Sequence, residues 1–270
     1  WRQPLERDYV AQAIKDGLFT KVIGRRLVYL PYTTSTMDEA TRLGRAGAEE
    51  GVVVVAEEQA GGRGRFGRDW ISPPGNLYLS ALLRPPATAM PLLSVAACVA
   101  VVRAIRRVTH LDAQVKWPND VLLHRKKVAG ILVEGLSDET QAYQVVGIGI
   151  NVALDVTGTP ELVAIATSLR QEMGVAPPRG ALLRTLLHEL DALYDGLKRG
   201  DSPVAEWKGY LDTLGRDVEV RWGAEVYRGR ALDVDQSGAL ILRRGDGTNV
   251  ALPAGEVTLR ADEAPADQAG

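Results

Sequence analysis

The stretch Gly61-Gly62-Arg63-Gly64-Arg65-Phe66-Gly67-Arg68 puts three guanidinium groups and four glycines into eight residues, with no acid between Glu58 and Asp69. Glycines let backbone N–H groups approach a ligand closely, and the arginines add fixed charge, so the segment reads as an anion cradle, with a flexible surface turn as the alternative. Gly62, Gly64 and Gly67 satisfy G-x-G-x-x-G after an apolar run. Pro73 and Pro74, however, block the helix that a dinucleotide fold needs there, and no acid follows at roughly 20 residues. A phosphate loop is only half matched, because Arg68-Asp69 stands where Lys-Ser/Thr would hold Mg²⁺. An RNA-binding Arg/Gly tail would be longer and would not be wedged between strands. Trp70 follows directly and suits either stacking on a nucleobase or a place in the core.

Three further segments bear polar groups where strands end. In Lys116-Trp117-Pro118-Asn119-Asp120 the proline fixes a turn, so that Lys116, Asn119 and Asp120 project near one strand end. In Lys126-Lys127-Val128-Ala129-Gly130 a lysine enters an apolar strand whose next residues are small, leaving room for a ligand against the backbone. Gly147-Ile148-Gly149-Ile150-Asn151 ends a buried strand on a polar amide that needs partners. Each segment alone also fits an ordinary turn or hairpin.

The elements that must position these groups follow from periodicity. Residues 5–16 have helical spacing, 25–32 read as a strand, and Thr33 to Thr36 form a hydroxyl-rich turn. Asp38 and Glu39 then suit the first turn of a helix ending near Gly44 or Gly47. Strands are expected at 51–59 and 77–84, and a buried helix at 91–108 opened by Pro91. Short strands at 113–117, 120–125, 127–135 and 143–152 have tight links and predict hairpins. Leucines at a 3–4 spacing give a helix over 180–198, and a second helix covers 203–213. From 217 to 260 only short alternating segments with glycine links remain, which predicts a small five-stranded barrel.

Composition narrows the function classes. The 270 residues carry 32 basic and 34 acidic side chains, a net charge of −2, so any anion binding is local rather than a global basic coat. One cysteine, Cys98, excludes a disulfide scaffold, and His110, His124 and His188 are scattered, so no metal site with dedicated protein ligands is expected. No apolar run is read as reaching the ~18 residues of a membrane span, and no signal peptide is evident, giving a cytoplasmic expectation.

Taken together, Ser35-Thr36-Met37-Asp38-Glu39-Ala40, Gly62 to Trp70, Lys116 to Asp120, Lys127 to Glu134 and Gly147 to Asn151 resemble the bacterial biotin–protein ligases, over about residues 25–260. The resemblance implies an α/β (α+β) fold: a catalytic domain on a mixed, largely antiparallel sheet, then an SH3-like barrel. It implies an N-terminal segment at 1–24, a catalytic domain at 25–213, the barrel at 214–261 and a tail at 262–270. The implied reaction joins biotin to one lysine of a biotin carboxyl carrier domain. Biotin and ATP, with Mg²⁺ on the nucleotide, give biotinyl-5′-AMP and pyrophosphate; the lysine then displaces AMP.

By the same resemblance, Ser35, Thr36, Gln59, Gly62, Gly130 and Leu132 line the biotin pocket. Arg63 and Arg65 meet its carboxylate and the phosphate. Arg68 holds phosphate, Trp70 stacks beside adenine, and Asn151 lies on the adenine side. Lys127 contacts the carboxylate and α-phosphate oxygens. Lys116, Asn119 and Asp120 line the ATP or acceptor side, with Asp120 orienting the acceptor amine. Phe66 stands where relatives often carry Arg or His, and no ligand contact is assigned to it. The three arginines are expected to repel one another, keeping loop 61–69 mobile until an anion arrives. About 25 residues precede the first strand, too few for the winged-helix DNA-binding module of bifunctional relatives, so a monofunctional chain or one cut from a longer protein is expected. No membrane or nucleic-acid partner is expected, and a homodimer is left open. Rival readings are a lipoate–protein ligase, which needs a longer apolar slot, and a nucleic-acid-binding module, against which the net charge argues.

Overall fold

A computed structural model describes Tyr9, Val10, Ala13 and residues 16–137, 142–157 and 160–259. Of the helix expected at 5–16, Tyr9, Val10 and Ala13 are helical and buried; its other residues before Asp16, and the expected tail at 262–270, lie outside the described residues.

The strands β1 (Arg26–Leu30), β2 (Val52–Ala56), β3 (Leu77–Leu83), β4 (Gln114–Lys116), β5 (Asp120–Leu123), β6 (Lys126–Ser137) and β7 (Ala142–Ile150) form one sheet, ordered β1-β2-β3-β7-β6-β5-β4. Only β1 and β2 pair in parallel, which a crossover helix must make possible; the other pairs are antiparallel, and β4 to β7 form the expected run of hairpins. That crossover is helix α1 (Thr36–Arg45), capped by Ser35, whose Oγ accepts from the Met37 N–H. β2 and β3 are buried along their whole length and are apolar throughout except for Ser80, as central strands covered on both faces must be.

On one face lies α2 (Leu93–Thr109), packed against α5 (Arg179–Arg199), while α3 (Pro160–Ile165), α4 (Leu169–Met173) and α6 (Val204–Tyr210) are short. Three sequence expectations need correction here. Pro91 does not open α2 but sits inside a 3₁₀ turn, Ala87–Leu92, that precedes it. The stretch Ala87–Thr109 is also long and apolar enough to cross a membrane, contrary to the reading that no run is. Its apolar surface is spent inside the molecule, since the whole run from Val95 to Val102 is buried against the sheet and α5. The helix expected at 203–213 stops at Tyr210, because Leu211 turns extended to bridge Val115 and the Asp212 N–H donates to the Val115 carbonyl.

Strands β8 (Asp217–Trp222), β9 (Glu225–Val234), β10 (Leu240–Arg243), β11 (Asn249–Leu252) and β12 (Glu256–Leu259) make the second, antiparallel sheet, ordered β11-β10-β9-β8-β12. Trp117, in the turn between β4 and β5, fastens it to the first. Its indole N–H donates to the Gly238 carbonyl at 2.9 Å, and its ring is 3.5 Å from where a Cβ on Gly255 would stand. The apolar cores of the two sheets are continuous, so Gly255 and the start of β12 at Glu256 have a fixed place beside the β4–β5 turn.

Candidate active site

A cavity of about 520 Å³ opens over the second face of the first sheet, bounded by the start of α1, the Gly/Arg loop, the β4–β5 turn, β6, β7, the segment around α3 and the turn at Gly255. Its two ends differ in chemistry. At the deep end, Ser35 and Thr36 are buried beside Gln59. Gln59 Oε1 accepts from the Thr36 N–H at 2.8 Å and from its hydroxyl at 3.1 Å, and Gln59 Nε2 donates to Ser72 Oγ at 3.0 Å. Thr36 Oγ1 also lies 2.7 Å from Ser80 Oγ. Leu132 and Met37 supply apolar wall.

At the outer end are Arg63, Arg65, Arg68, Lys116 and Lys127. Lys127 Nζ is 2.7 Å from Asp120 Oδ1, both groups half-buried. Burial pushes the Lys116 ammonium below its ordinary range, with Asp120 opposing that and Lys127 adding to it. Arg65 is likewise pushed down by burial; its Nη1 donates to Asn119 Oδ1 at 3.0 Å and to the Gly255 carbonyl at 3.3 Å. Asn119 in turn donates to the Ile131 carbonyl at 2.7 Å.

Trp70 divides the two ends. Its indole lies flat on the sheet where Gly130 and Gly149 face each other across β6 and β7. A Cβ on Gly149 would stand 2.6 Å from the indole nitrogen and one on Gly130 2.9 Å from the ring, so both positions must lack a side chain. Lys127 Nζ sits 5.1 Å from the ring centre.

The loop itself corrects the expectation of mutually repelling arginines. Each guanidinium already has a partner: Arg63 reaches Asp38 at 2.7 Å and Glu134 at 3.5 Å, Arg65 is held by Asn119, and Arg68 pairs with Glu256. The loop closes on itself through Gly64 N–H to the Arg68 carbonyl and Trp70 N–H to the Gly62 carbonyl, at 2.7 and 2.9 Å. Phe66 stands exposed in the left-handed region, φ 59°, with the Arg65 guanidinium 4.9 Å from its ring.

Nearly all the expected site residues line this one cavity. Gly62 does not: it is buried behind the wall, where a Cβ would stand 2.5 Å from both Ser72 Oγ and the Trp70 carbonyl, so it shapes the loop base rather than the pocket. Asn151 does line the cavity, but its amide is engaged, donating to the Thr167 carbonyl at 3.0 Å and so pinning the segment after α3. Sequence reasoning missed Glu134 as a loop partner although it lies in a quoted motif, and read Asp38 only as a helix-end acid. It also missed Glu256, Gly255 and the apolar side chains Leu162 and Ile165. Glu256 had no local signal, because it meets Arg68 from another sheet.

Residues 29–151 match the model of the biotin/lipoate A/B protein ligase family, and 213–260 that of the biotin protein ligase C-terminal domain. The first match spans Ser35 to Asn151, and thus every expected site residue. The chain is 37% identical over 241 residues to the bifunctional ligase/repressor BirA of Bacillus subtilis, covering 87% of this chain and 74% of that protein. It is 34% identical over 268 residues to the biotin--[acetyl-CoA-carboxylase] ligase of Mycobacterium tuberculosis, covering 95% and 96%. Among solved structures, the biotin protein ligase from Aquifex aeolicus in complex with biotin and ATP superposes with a TM-score of 0.75 at 29% identity, covering 87% of this chain and 99% of that one.

Proposed function

The chain belongs to the biotin/lipoate A/B protein ligase family, and from that premise we propose that it joins biotin to a lysine of a biotin carboxyl carrier domain at the expense of ATP. The observation that carries this reading is the pairing, in one cavity, of a neutral hydrogen-bonding end with a cationic end, divided by an indole. A ureido ring is neutral and rich in donors and acceptors, whereas a carboxylate meeting a polyphosphate is not.

The biotin carboxylate oxygen attacks the α-phosphorus, the bond to the bridging oxygen breaks, and pyrophosphate leaves. Negative charge accumulates on the α-phosphate oxygens, and fixed cations in a partly dehydrated cavity stabilise it more than a strong base would. Lys127, Arg63 and Arg65 take that role, Lys127 held in place by Asp120 and Arg65 by Asn119. Arg68 and Lys116 face the rest of the phosphate chain, and Trp70 the base. Asn151 acts on the nucleotide side by fixing the Thr167 segment. In the second step the carrier lysine attacks the carbonyl of biotinyl-5′-AMP, AMP leaves, and the ammonium proton lost by the amine passes to solvent; Asp120, at the cavity wall, orients that amine.

Mg²⁺ would enter on the nucleotide's phosphates and would add to the charge neutralisation that the arginines and lysines supply. The loop's carboxylate partners, Asp38, Glu134 and Glu256, hold Arg63 and Arg68 until a ligand anion replaces them.

The test is to incubate the folded chain with ATP, Mg²⁺ and labelled biotin or lipoate in the presence of a biotin carrier domain. Biotin label on protein, dependent on ATP, is expected. Lipoate label alone, or none, overturns the reading.

A further inference from the structure

Met37 is the second residue of α1, its N–H held by Ser35 Oγ at 3.2 Å, and it is 4% exposed with its remaining surface on the cavity. Its thioether rests on Gly147 of β7: a Cβ at Gly147 would stand 2.4 Å from Met37 Sδ and 3.1 Å from its Cγ. The φ of Gly147 lies outside the left-handed region. No backbone demand calls for glycine there, so the missing side chain is a matter of space. On its other side Met37 packs with Ala40, Val54, Leu82 and Val145, an apolar cluster separate from the main core. The thioether is therefore the partition between the deep end of the cavity and that cluster.

The polar groups at the deep end make this partition matter. Thr36, Gln59, Ser72 and Ser80 already bond to one another. A site rejects an apolar analogue strongly when that analogue leaves buried polar groups unpaired. Here each of those groups keeps at least one partner whatever enters, so chemistry alone excludes a plain alkyl acid incompletely, and length must do more of the work.

We propose that Met37, seated on Gly147, is the size gate of the acid pocket, excluding medium-chain alkyl carboxylic acids from activation; this rests on the adenylating function argued above. The thioether ends the pocket short of the apolar cluster, and the bare backbone at Gly147 keeps it from being pushed into the space a bicyclic acid needs.

The experiment is ATP–pyrophosphate exchange with biotin, octanoate and decanoate, on the parent chain, Met37→Ala, Gly147→Ala and the double variant. Thermal melting and nucleotide binding confirm that each is folded. The parent is expected to exchange with biotin and not with decanoate. Gly147→Ala drives the thioether into the pocket and lowers biotin kcat/KM at least 10-fold, and the double variant recovers most of that loss. Met37→Ala shifts the decanoate-to-biotin ratio of kcat/KM at least 10-fold toward decanoate. If Gly147→Ala fails to fold, Met37→Leu replaces it: a branched side chain on the same seat should lower biotin use without admitting decanoate. A parent that exchanges with biotin, together with an unchanged ratio in Met37→Ala or a double variant no better than Gly147→Ala, overturns the gate alone. A parent without biotin-dependent exchange overturns the ligase reading, and the gate with it.

Discussion

The two ends of the cavity are built on opposite plans. At the deep end, short neutral side chains are buried and bonded to one another, on a helix start and a central strand that do not depend on charge. At the outer end, Arg63 and Arg68 are half-exposed and parked on carboxylates from α1, β6 and the second sheet, Lys127 on Asp120, and Arg65 on the Asn119 amide. The first is a preformed mould, whose fit costs no rearrangement. The second is occupied by the protein's own acids and must exchange partners when an anion arrives. On the function proposed above, specificity for the acid belongs to the rigid end and charge stabilisation to the end whose partners can be exchanged.

The sharpest way to break this division is at Lys127. Lys127→Ala should slow pyrophosphate release about 10²-fold, since removing one preorganised transition-state partner costs ~3 kcal/mol. Lys127→Arg keeps the charge but not its position over Asp120, and should recover only part of the rate. A single-turnover rate within threefold of the parent for Lys127→Ala would remove the lysine from the mechanism. At the opposite end, Thr36→Val keeps the N–H on Gln59 Oε1 but removes the hydroxyl shared with Gln59 and Ser80. Losing one hydrogen bond to the acid costs ~0.5–1.5 kcal/mol, so calorimetry should show biotin binding weakened several-fold and ATP binding unchanged. Equal losses for both ligands would mean that the two ends are not independent.

This division also explains what could be read from the sequence. The deep end and most of the outer end lie within short motifs, because each strand end and helix start brings its own ligand groups: Ser35-Thr36 at a cap, Lys127 at a strand start, Gly130 and Gly149 in register. The alternation of the short C-terminal segments made the second sheet legible as well. What escaped was long-range charge pairing. Loop 61–69 holds no acid before Asp69, so its arginines read as mutually repelling, and nothing local tells that Asp38, Glu134 and Glu256 converge on them. Pro91 misled because an N-terminal proline suits an α-helix and a 3₁₀ turn alike. The length of the apolar run at 87–109 was underestimated because Arg103, Arg106 and Arg107 interrupt it; in the fold, Arg103 reaches Glu189 and Glu206 at the helix surface.

A smaller effect sharpens the position of Trp70 between the ends. Stacking on a nucleobase is worth ~1–3 kcal/mol, so Trp70→Ala should weaken ATP binding by at least about fivefold and biotin binding less. The indole's contact with Gly130 and Gly149 sets the control. Because truncation bares two glycines under the cavity floor, a loss shared equally by both ligands would identify the indole as floor rather than as a stacking surface.

The smallest expected effect is the most direct report on partner exchange. The Arg68 guanidinium holds the Glu256 carboxyl below the usual carboxylate range, against an opposing push from partial burial. For a carboxylate depressed in the folded state, the pair's contribution is complete above the ordinary value near ~4.3 and is lost as pH falls through the lowered one. Both side chains are more than a third exposed or close to it, so the pair is worth no more than ~1 kcal/mol. That is too little to move a melting curve clearly, but the Glu256 side-chain carbon resonance should titrate with a midpoint below ~4.3. Arg68→Ala should return it toward the ordinary range. Adding a non-hydrolysable nucleotide should raise it in the same direction, because phosphate takes the guanidinium and leaves Glu256 beside a neutralised partner. A midpoint that nucleotide does not move would mean that Arg68 never leaves Glu256, and that the outer end is a fixed strap between the two sheets rather than a cradle that opens to its ligand.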